Sequence, residues 1–279
     1  MTEYDETQVS IRQAATVMLV DDRPDLQVFV MERNANIVFG GGMWVFPGGA
    51  VDVADHPDSY QHISGRRSDV EASTLMDIAS GGLAYYIAAI REAFEEAGVL
   101  LALRRDNKRP LNLRDRETAA RFQDHRDKVN SGERDFIDVV NAERLILDAG
   151  AMHYVARWIT PVGPPRRFDA RFFVARMPEE QVPGHDDGEL VHSRWLPPKE
   201  ILRRFDAGDM DLMSPTLRMV RCLAKFSSAD EVIASAASNL PDERARVNKE
   251  REIILPGDPG YEDADESIEN GWVRLRPLN

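Results

Sequence analysis

The sequence predicts an α+β fold, an α/β/α sandwich in which a mixed β-sheet lies between helices. Two β-rich runs, 13–20 and 26–33, flank the polar turn "DDRPD" and predict a hairpin. Three further strand-like runs lie between 152 and 197. Between the two groups, "LAYYIAAIREAFEEAG" (83–98) is the clearest helix, and Gly98 marks its C-terminal stop. Strands on both sides of a helical region indicate one mixed sheet.

The remaining segments add helices to this core. Residues 43–53 resemble a third strand that Gly48 and Gly49 interrupt, and residues 99–150 have apolar residues at helical spacing, which predicts a mostly helical stretch. The other helices are expected at 69–79, 198–206, 215–226 and 229–238.

Composition excludes several classes of protein. A formal net charge of -13 argues against binding to a nucleic-acid backbone. Cys222 is the only cysteine, so no disulfide forms within the chain. The acidic N-terminus does not resemble a signal peptide, and no apolar run approaches the roughly 20 residues that span a bilayer. We therefore expect a cytoplasmic protein without a membrane partner; a homodimer is left open.

Three glutamates crowd the end of the clearest helix, in "REAFEEAGV" (91–99). A helical wheel places Glu92, Glu95 and Glu96 nearly opposite the apolar side. They could form a solvated face, which is the common meaning of such a run. Like charges at this spacing, near the negative end of the helix dipole, cost stability, however. A divalent cation would offset that cost, because Mg²⁺ prefers hard oxygen ligands.

This stretch resembles the core of the Nudix box, Arg-Glu-U-x-Glu-Glu-x-Gly-U, where U is aliphatic. Upstream, "FPGGAVD" (46–52) is similar to the Pro-Gly-Gly element that precedes the Nudix helix. The usual pattern is Gly-x5-Glu-x7-Arg-Glu, whereas 41 residues separate Gly49 from Arg91 here, which implies an insertion of 28 residues. The upstream acid of the box is therefore open: Asp52 or Asp55 replaces it, or it is absent.

The resemblance implies a Nudix fold and a metal-dependent hydrolase of nucleoside diphosphates linked to another group. Glu95 and Glu96 would be the principal ligands of Mg²⁺ or Mn²⁺, and Glu92 a further ligand or the catalytic base. Arg91, one turn before Glu95, would orient these carboxylates.

The catalytic base and the substrate contacts are less defined. In many relatives the base lies in a later loop, here "GHDDGELVHSRW" (184–195), where Glu189 is the first candidate because it directly precedes a strand. The alternative is an ordinary surface loop. The other acid–base candidates in this loop are His185, Asp186 and Asp187.

Glycines and arginines are the candidate substrate-binding residues. Gly48 and Gly49 would allow close approach of substrate or metal, or would simply form a tight turn. Phosphate-binding candidates are Arg33, Arg166, Arg167 and Arg171, whereas Phe168, Ala170 and Phe172 would share one, mostly buried, strand face.

Segments 32–52 and 157–176 resemble a long subgroup of Nudix enzymes similar to coenzyme A and acyl-coenzyme A diphosphatases. This implies a Nudix domain over 1–239, with an insertion at about 54–82, a helical segment at about 105–148, and a charged C-terminal extension at 240–279. The alternatives are hydrolysis of NADH, ADP-ribose or another nucleotide, and a non-catalytic nucleotide-binding module.

Overall fold

The structure is a computed structural model that describes residues 9–37, 40–56, 60, 62–184, 190–265 and 270–278. The strands are β1 (Ile11–Asp22), β2 (Leu26–Arg33), β3 (Trp44–Val45), β4 (Gly48–Ala50), β5 (Ala102–Arg104), β6 (Leu145–Leu147), β7 (Met152–Ile159), β8 (Arg167–Arg176), β9 (Leu190–Leu196), β10 (Glu243–Arg244), β11 (Arg246–Val247), β12 (Ile253–Ile254) and β13 (Gly271–Val273). The α-helices are α1 (Asp69–Leu75), α2 (Gly82–Ala97), α3 (Arg116–Asn130), α4 (Phe136–Ala142), α5 (Pro198–Asp206), α6 (Ser214–Leu223) and α7 (Ala229–Ala237).

Within the described residues, nine strands form one mixed sheet. Its main path is β10-β13-β7-β8-β1-β2-β3, with β4 paired to β1 and β9 paired to β2. The expected hairpin is present as β1 and β2. β1 pairs in parallel with the full length of β8, from Ile11 opposite Arg167 to Val20 opposite Arg176, while the other strand pairs of this sheet are antiparallel. The predicted mixed sheet is therefore confirmed.

Helices cover both faces of this sheet. Because successive side chains of a strand point to opposite faces, Leu19 and Phe173 pack against the layer of α1 to α4. Met18 and Val174 pack against the layer of α5 to α7. Two apolar cores separated by one sheet make the α/β/α sandwich that the sequence predicts.

Two short elements differ from the expectation. The stretch 99–150 is not wholly helical, because β5 and β6 pair as a two-stranded sheet beside α3 and α4. Strands of three residues are too short to show the alternation that reveals a strand. Gly48 and Gly49 do not interrupt one strand: they belong to β4, which pairs with β1, whereas β3 pairs with β2.

The C-terminal segment is part of the sheet. β13 pairs with β7 on one side and with β10 on the other. Gly271 lies against the Trp158 ring, which a Cβ at this glycine would meet at 2.0 Å. The boundary expected at residue 240 stays a prediction, and the segment beyond it completes one edge of the sheet. None of the helices among the described residues is long and apolar enough to cross a bilayer.

Candidate active site

Helix α2 carries the three glutamates, and the insertion before it caps its N-terminus. The first amides of a helix lack partners within the helix and require acceptors from elsewhere. Asp69 accepts from the amides of Gly81 at 3.0 Å and Leu83 at 2.9 Å. The Ser73 hydroxyl accepts from the amide of Gly82 at 2.9 Å. The insertion therefore stabilises the beginning of α2, since side chains of α1 accept hydrogen bonds from the first amides of that helix.

Arg126 of α3 binds the other end of α2. Its guanidinium donates to the carbonyl oxygens of Glu95 at 2.8 Å and Glu96 at 2.7 Å. It also donates to the carbonyl of Gly184 at 3.1 Å. A buried cation is favourable here because the helix dipole leaves partial negative charge at this end. Gly98 then ends the helix in the left-handed conformation, with φ 65°.

Arg91 is held by a buried carboxylate at the beginning of the insertion. Its Nε and Nη2 donate to the two carboxylate oxygens of Asp55, each at 3.0 Å, and Nη2 also donates to the Ala50 carbonyl at 2.9 Å. Asp55 is fully buried and also accepts from the amide of Asp52 at 2.8 Å. The Asp52 side chain is 65% exposed and lies 3.6 Å from Arg91. Of the two candidates for the upstream acid, Asp55 makes the bidentate contact.

The remaining guanidinium nitrogen of Arg91 contacts two of the helix glutamates. Nη1 lies 2.8 Å from the Glu92 carboxylate and 3.3 Å from that of Glu95. The Glu96 carboxylate accepts from the amide of Gly48 at 2.8 Å. The side chains of Glu92 and Glu95 are only 13% and 21% exposed. The three glutamates therefore lie in one region, beside β4 and Arg91. They do not form a solvated helix face.

The two glycines of β4 make this close approach of α2 possible. A Cβ on Gly49 would lie 2.4 Å from a carboxylate oxygen of Glu92. A Cβ on Gly48 would lie 2.5 Å from the backbone carbonyl of Ala15 in the neighbouring strand. The missing side chains thus leave the space that Glu92 and the β1 backbone fill.

Burial and crowding alter the ionisation of these groups. Burial raises the pKa of Glu92 to about 7; Arg91 opposes that shift and the neighbouring Glu95 charge adds to it. Burial likewise raises the pKa of Glu95, again against the effect of Arg91. For Arg91, burial works against the charged form, but the hydrogen bonds to Asp55 and the Glu92 charge outweigh it and raise its pKa.

The donor set is chemically suited to a divalent cation. Glu92 and Glu95 offer hard carboxylate oxygens, and burial raises the pKa of both, so a divalent cation beside them would stabilise their ionised forms. Within the described part of the chain, no three His, Cys, Asp or Glu side chains are already arranged as a group that could hold a metal ion. Glu92, Glu95 and Glu96 are the carboxylates of α2 that could hold such a cation.

The other candidates from the sequence lie elsewhere. Arg33 ends β2 opposite Leu190 of β9. Arg166 is exposed before β8, and the Nε of Arg167 donates to the Thr160 carbonyl at 3.2 Å. Their roles in substrate binding stay predictions. The candidate base Glu189 and its neighbours His185, Asp186 and Asp187 lie outside the described residues.

Sequence reasoning missed the residues that hold α2 in place. Asp69 lies within the "SDVE" capping box of α1 and Ser73 follows it, so their positions mark the start of a helix, but nothing local shows that they cap another helix. Arg126 is one of several charged residues on α3. Only the packing of α3 against α2 distinguishes it.

A mixed sheet between two helical layers, with an Arg-Glu-x-x-Glu-Glu helix over a Pro-Gly-Gly strand, defines the Nudix hydrolase class of diphosphohydrolases. The chain belongs to the NUDT19 Nudix domain family, whose model matches residues 66–223, more than half of the chain. The expected family and fold are therefore confirmed.

Two named members of this family and one solved structure are similar to most of the chain. It is 26% identical to the acyl-coenzyme A diphosphatase NUDT19 of Gallus gallus, over 91% of this chain and 81% of that protein. It is 27% identical to the Homo sapiens protein of the same name, over 88% of this chain and 74% of that protein. The crystal structure of a NUDIX hydrolase from Alicyclobacillus acidocaldarius has a TM-score of 0.65 and 26% identity, over 81% of this chain and 97% of that chain.

Proposed function

We propose that the chain hydrolyses the diphosphate of coenzyme A or an acyl-coenzyme A, with a divalent cation held by α2. One observation carries the proposal: the buried Asp55–Arg91 pair fixes the carboxylates of Glu92 and Glu95 beside the β4 glycines. The acyl-coenzyme A diphosphatase relatives in chicken and human support the substrate class.

Each group of the site has a distinct role in this proposal. Glu92, Glu95 and Glu96 hold Mg²⁺ or Mn²⁺, the hard cations that carboxylates bind. When bound, the cation offsets the charge of the diphosphate oxygens and makes a water more acidic. Arg91 positions Glu92 and Glu95, because its Nη1 lies between them. The amide of Gly48 orients Glu96 in the same way.

Two residues are candidates for the base that takes a proton from the attacking water. Burial raises the pKa of Glu92 to about 7 in the metal-free protein, which suits a base near neutral pH, but Glu92 is also a candidate ligand. Glu189 remains the sequence-based candidate. Glu189→Gln separates the two: a large fall in kcat with unchanged metal affinity assigns the base to Glu189, whereas turnover near wild type leaves Glu92.

The substrate contacts are proposed for Gly48, Gly49, Arg33, Arg166 and Arg167. The glycines leave the backbone of β4 without side chains next to Glu92, where a diphosphate can approach closely. The arginines would bind anionic groups through their planar, bidentate guanidinium groups. A homodimer and a cytoplasmic location stay predictions from the sequence.

The decisive test is a substrate panel with Mg²⁺ or Mn²⁺ and product masses as readout. Coenzyme A and its acyl thioesters should release adenosine 3′,5′-bisphosphate and, respectively, 4′-phosphopantetheine or its acylated form. Preferential cleavage of NADH or ADP-ribose would contradict the proposed substrate class. Glu95→Gln should abolish turnover and weaken metal binding, and a chain that binds nucleotide but cleaves nothing would be a binding module.

A further inference from the structure

The C-terminal segment reaches the helix whose side chains cap α2. Arg274 directly follows β13, and its Nη2 donates to the carbonyl of Leu75 at 2.6 Å. Leu75 is the last residue of α1. The last carbonyls of a helix lack partners within it, and the helix dipole leaves partial negative charge there, which favours a cation. Arg274 therefore binds the end of α1, 199 residues away in the sequence.

Arg274 is itself fixed to the sheet. Its amide donates to the carbonyl of Val155 in β7 at 2.8 Å. Its guanidinium donates to both carboxylate oxygens of Asp242, at 2.9 and 2.7 Å, and its central carbon lies 4.7 Å from the ring centre of Tyr154 in β7. The side chain is 12% exposed. These contacts restrict the guanidinium, so the C-terminal segment fixes the position of Leu75 relative to β7.

The beginning of α1 is attached at a different place. Nη2 of Arg66, three residues before the helix, donates to both carboxylate oxygens of Asp148, each at 2.6 Å. The amide of Gly65 donates to the carbonyl of Leu147 in β6 at 2.7 Å. The insertion is therefore joined to the fold near both ends of α1, to the region of β6 before the helix and to the C-terminal segment after it.

Between these two attachments, α1 and α2 are in direct backbone contact. A Cβ on Gly82, the first residue of α2, would lie 2.4 Å from the backbone nitrogen of Ser73. Ser73 is two residues before Leu75, and its hydroxyl accepts from the Gly82 amide. Because α1 is a single short helix, a shift of its end moves Ser73 as well. Such a shift displaces one of the acceptors that fix where α2 begins.

We propose that Arg274 is a positioning residue for the candidate active site: it holds α1 in place, and α1 fixes the start of the helix that carries Glu92, Glu95 and Glu96. Arg274 acts through α1 and not through a contact of its own with the glutamates. The C-terminal segment is then part of the catalytic unit. The effect on turnover rests on the proposed function, whereas the effect on the start of α2 is independent of it.

Hydrogen–deuterium exchange of the amides of residues 81–83 measures the effect on α2 directly, since these amides donate to Asp69 and Ser73. In Arg274→Gln they should exchange about tenfold or more faster than in wild type, the consequence of losing a charge-assisted hydrogen bond. Arg274→Lys should restore part of the protection, because an ammonium group also donates to a carbonyl.

Steady-state kinetics with coenzyme A measures the effect on the site. Arg274→Gln should lower kcat by about tenfold, within the range expected for misplaced catalytic groups, and should change KM less. The reason is that the variant displaces the glutamates of α2 and leaves substrate contacts outside α2 in place. Arg274→Lys should recover part of kcat.

The matched control is Arg276→Gln, in the same segment. Arg276 pairs with Glu243, and the described contacts of its side chain lie within the C-terminal segment, among them the carbonyl of Pro241 at 3.3 Å. Exchange at 81–83 and kcat should therefore stay at their wild-type values. Asp242→Asn covers the case in which Arg274→Gln does not fold. Its carboxylate is 28% exposed and orients Arg274, so exchange at 81–83 should rise by a smaller factor.

Equal exchange at 81–83 in wild type and in Arg274→Gln, or in Asp242→Asn where Arg274→Gln does not fold, would overturn the inference. A rise spread equally over β1 and β8 would do the same, because Arg274 would then stabilise the whole fold. Faster exchange with wild-type kcat would show that the start of α2 does not position the site. A chain that cleaves no coenzyme would overturn the proposed function, and the exchange comparison would still decide whether Arg274 fixes α2.

Discussion

Both carboxylate oxygens of Asp55 lie 3.0 Å from guanidinium nitrogens of Arg91, across 36 residues of sequence. Asp55 is fully buried, and the Arg91 side chain is 10% exposed. The pair therefore joins the two parts of a motif that the insertion separates. Because Arg91 also contacts Glu92 and Glu95, a change at Asp55 should reach the site as well as the fold.

Asp55→Asn should cost about 3–5 kcal/mol in the free energy of unfolding, because it removes one partner of a buried ion pair. Urea unfolding measures this. Asp52→Asn is the matched control: its carboxylate is 65% exposed and 3.6 Å from Arg91, so its loss should cost no more than about 1 kcal/mol. Equal effects of the two variants would show that Asp55 does not replace the upstream acid of the box.

Gly49→Ala should reduce kcat/KM by about a hundredfold with little loss of stability. The atoms nearest to its Cβ would be those of the Glu92 carboxylate, at the movable end of a side chain, and a shift of about 1 Å in a catalytic group costs about this much in rate. Gly48→Ala should instead mainly lower the stability of the fold, because its Cβ would collide with the backbone of Ala15 and Thr16. Its expected cost is about 1–3 kcal/mol in thermal unfolding. Gly49→Ala with wild-type activity would show that Glu92 need not approach β4.

Arg126→Gln should lower kcat more than it raises KM, because Arg126 positions the end of α2 without contacting substrate. It donates to the carbonyls of Glu95, Glu96 and Gly184. Losing these charge-assisted hydrogen bonds should also cost about 2–4 kcal/mol of stability. Arg126→Lys should recover part of kcat. The control is Arg121→Gln on the same helix, whose partly exposed pair with Glu143 should matter little to either quantity. Equal kcat in Arg126→Gln and wild type would exclude the positioning role.

The sequence predicts the sheet and the acidic helix well, because both depend on local periodicity. The β-rich apolar runs of β1 and β2, the alternation in β8 and the apolar spacing of α2 are each contained in a single element. The local pattern also identified Arg91 and its three glutamates as one group.

Contacts between distant segments were not predictable in the same way. The insertion made the partner of Arg91 ambiguous, and only the fold shows that Asp55 is buried against it while Asp52 is exposed. Arg126 looks like an ordinary charged residue along α3. Its contact with the end of α2 depends on how the two helices pack, and a single sequence does not contain that information.

The raised pKa of Glu92 predicts how pH and metal affect stability. Without a cation, its pKa rises from the ordinary value of 4.5 to about 7. Burial is the main cause; the charge of Arg91 lowers the pKa, and the charge of Glu95 raises it further. Between these two values the folded state binds more protons than the unfolded chain, so the contribution of Glu92 lowers stability as pH rises through this range. Below pH 4.5 the group is protonated in both states, and its effect disappears.

Glu92→Gln should therefore be more stable than wild type in a chelating buffer, and the difference in Tm should grow from pH 5 to pH 8. Added Mg²⁺ should raise the Tm of wild type more than that of the variant, because the cation binds the ionised carboxylate and stabilises the folded state by mass action. The control, Glu179→Gln at an exposed position, should show neither effect. A Tm difference that stays constant with pH would mean that Glu92 ionises normally in the folded protein. An equal response of wild type and Glu92→Gln to Mg²⁺ would remove Glu92 from the ligands of the cation and leave it as a candidate for the base.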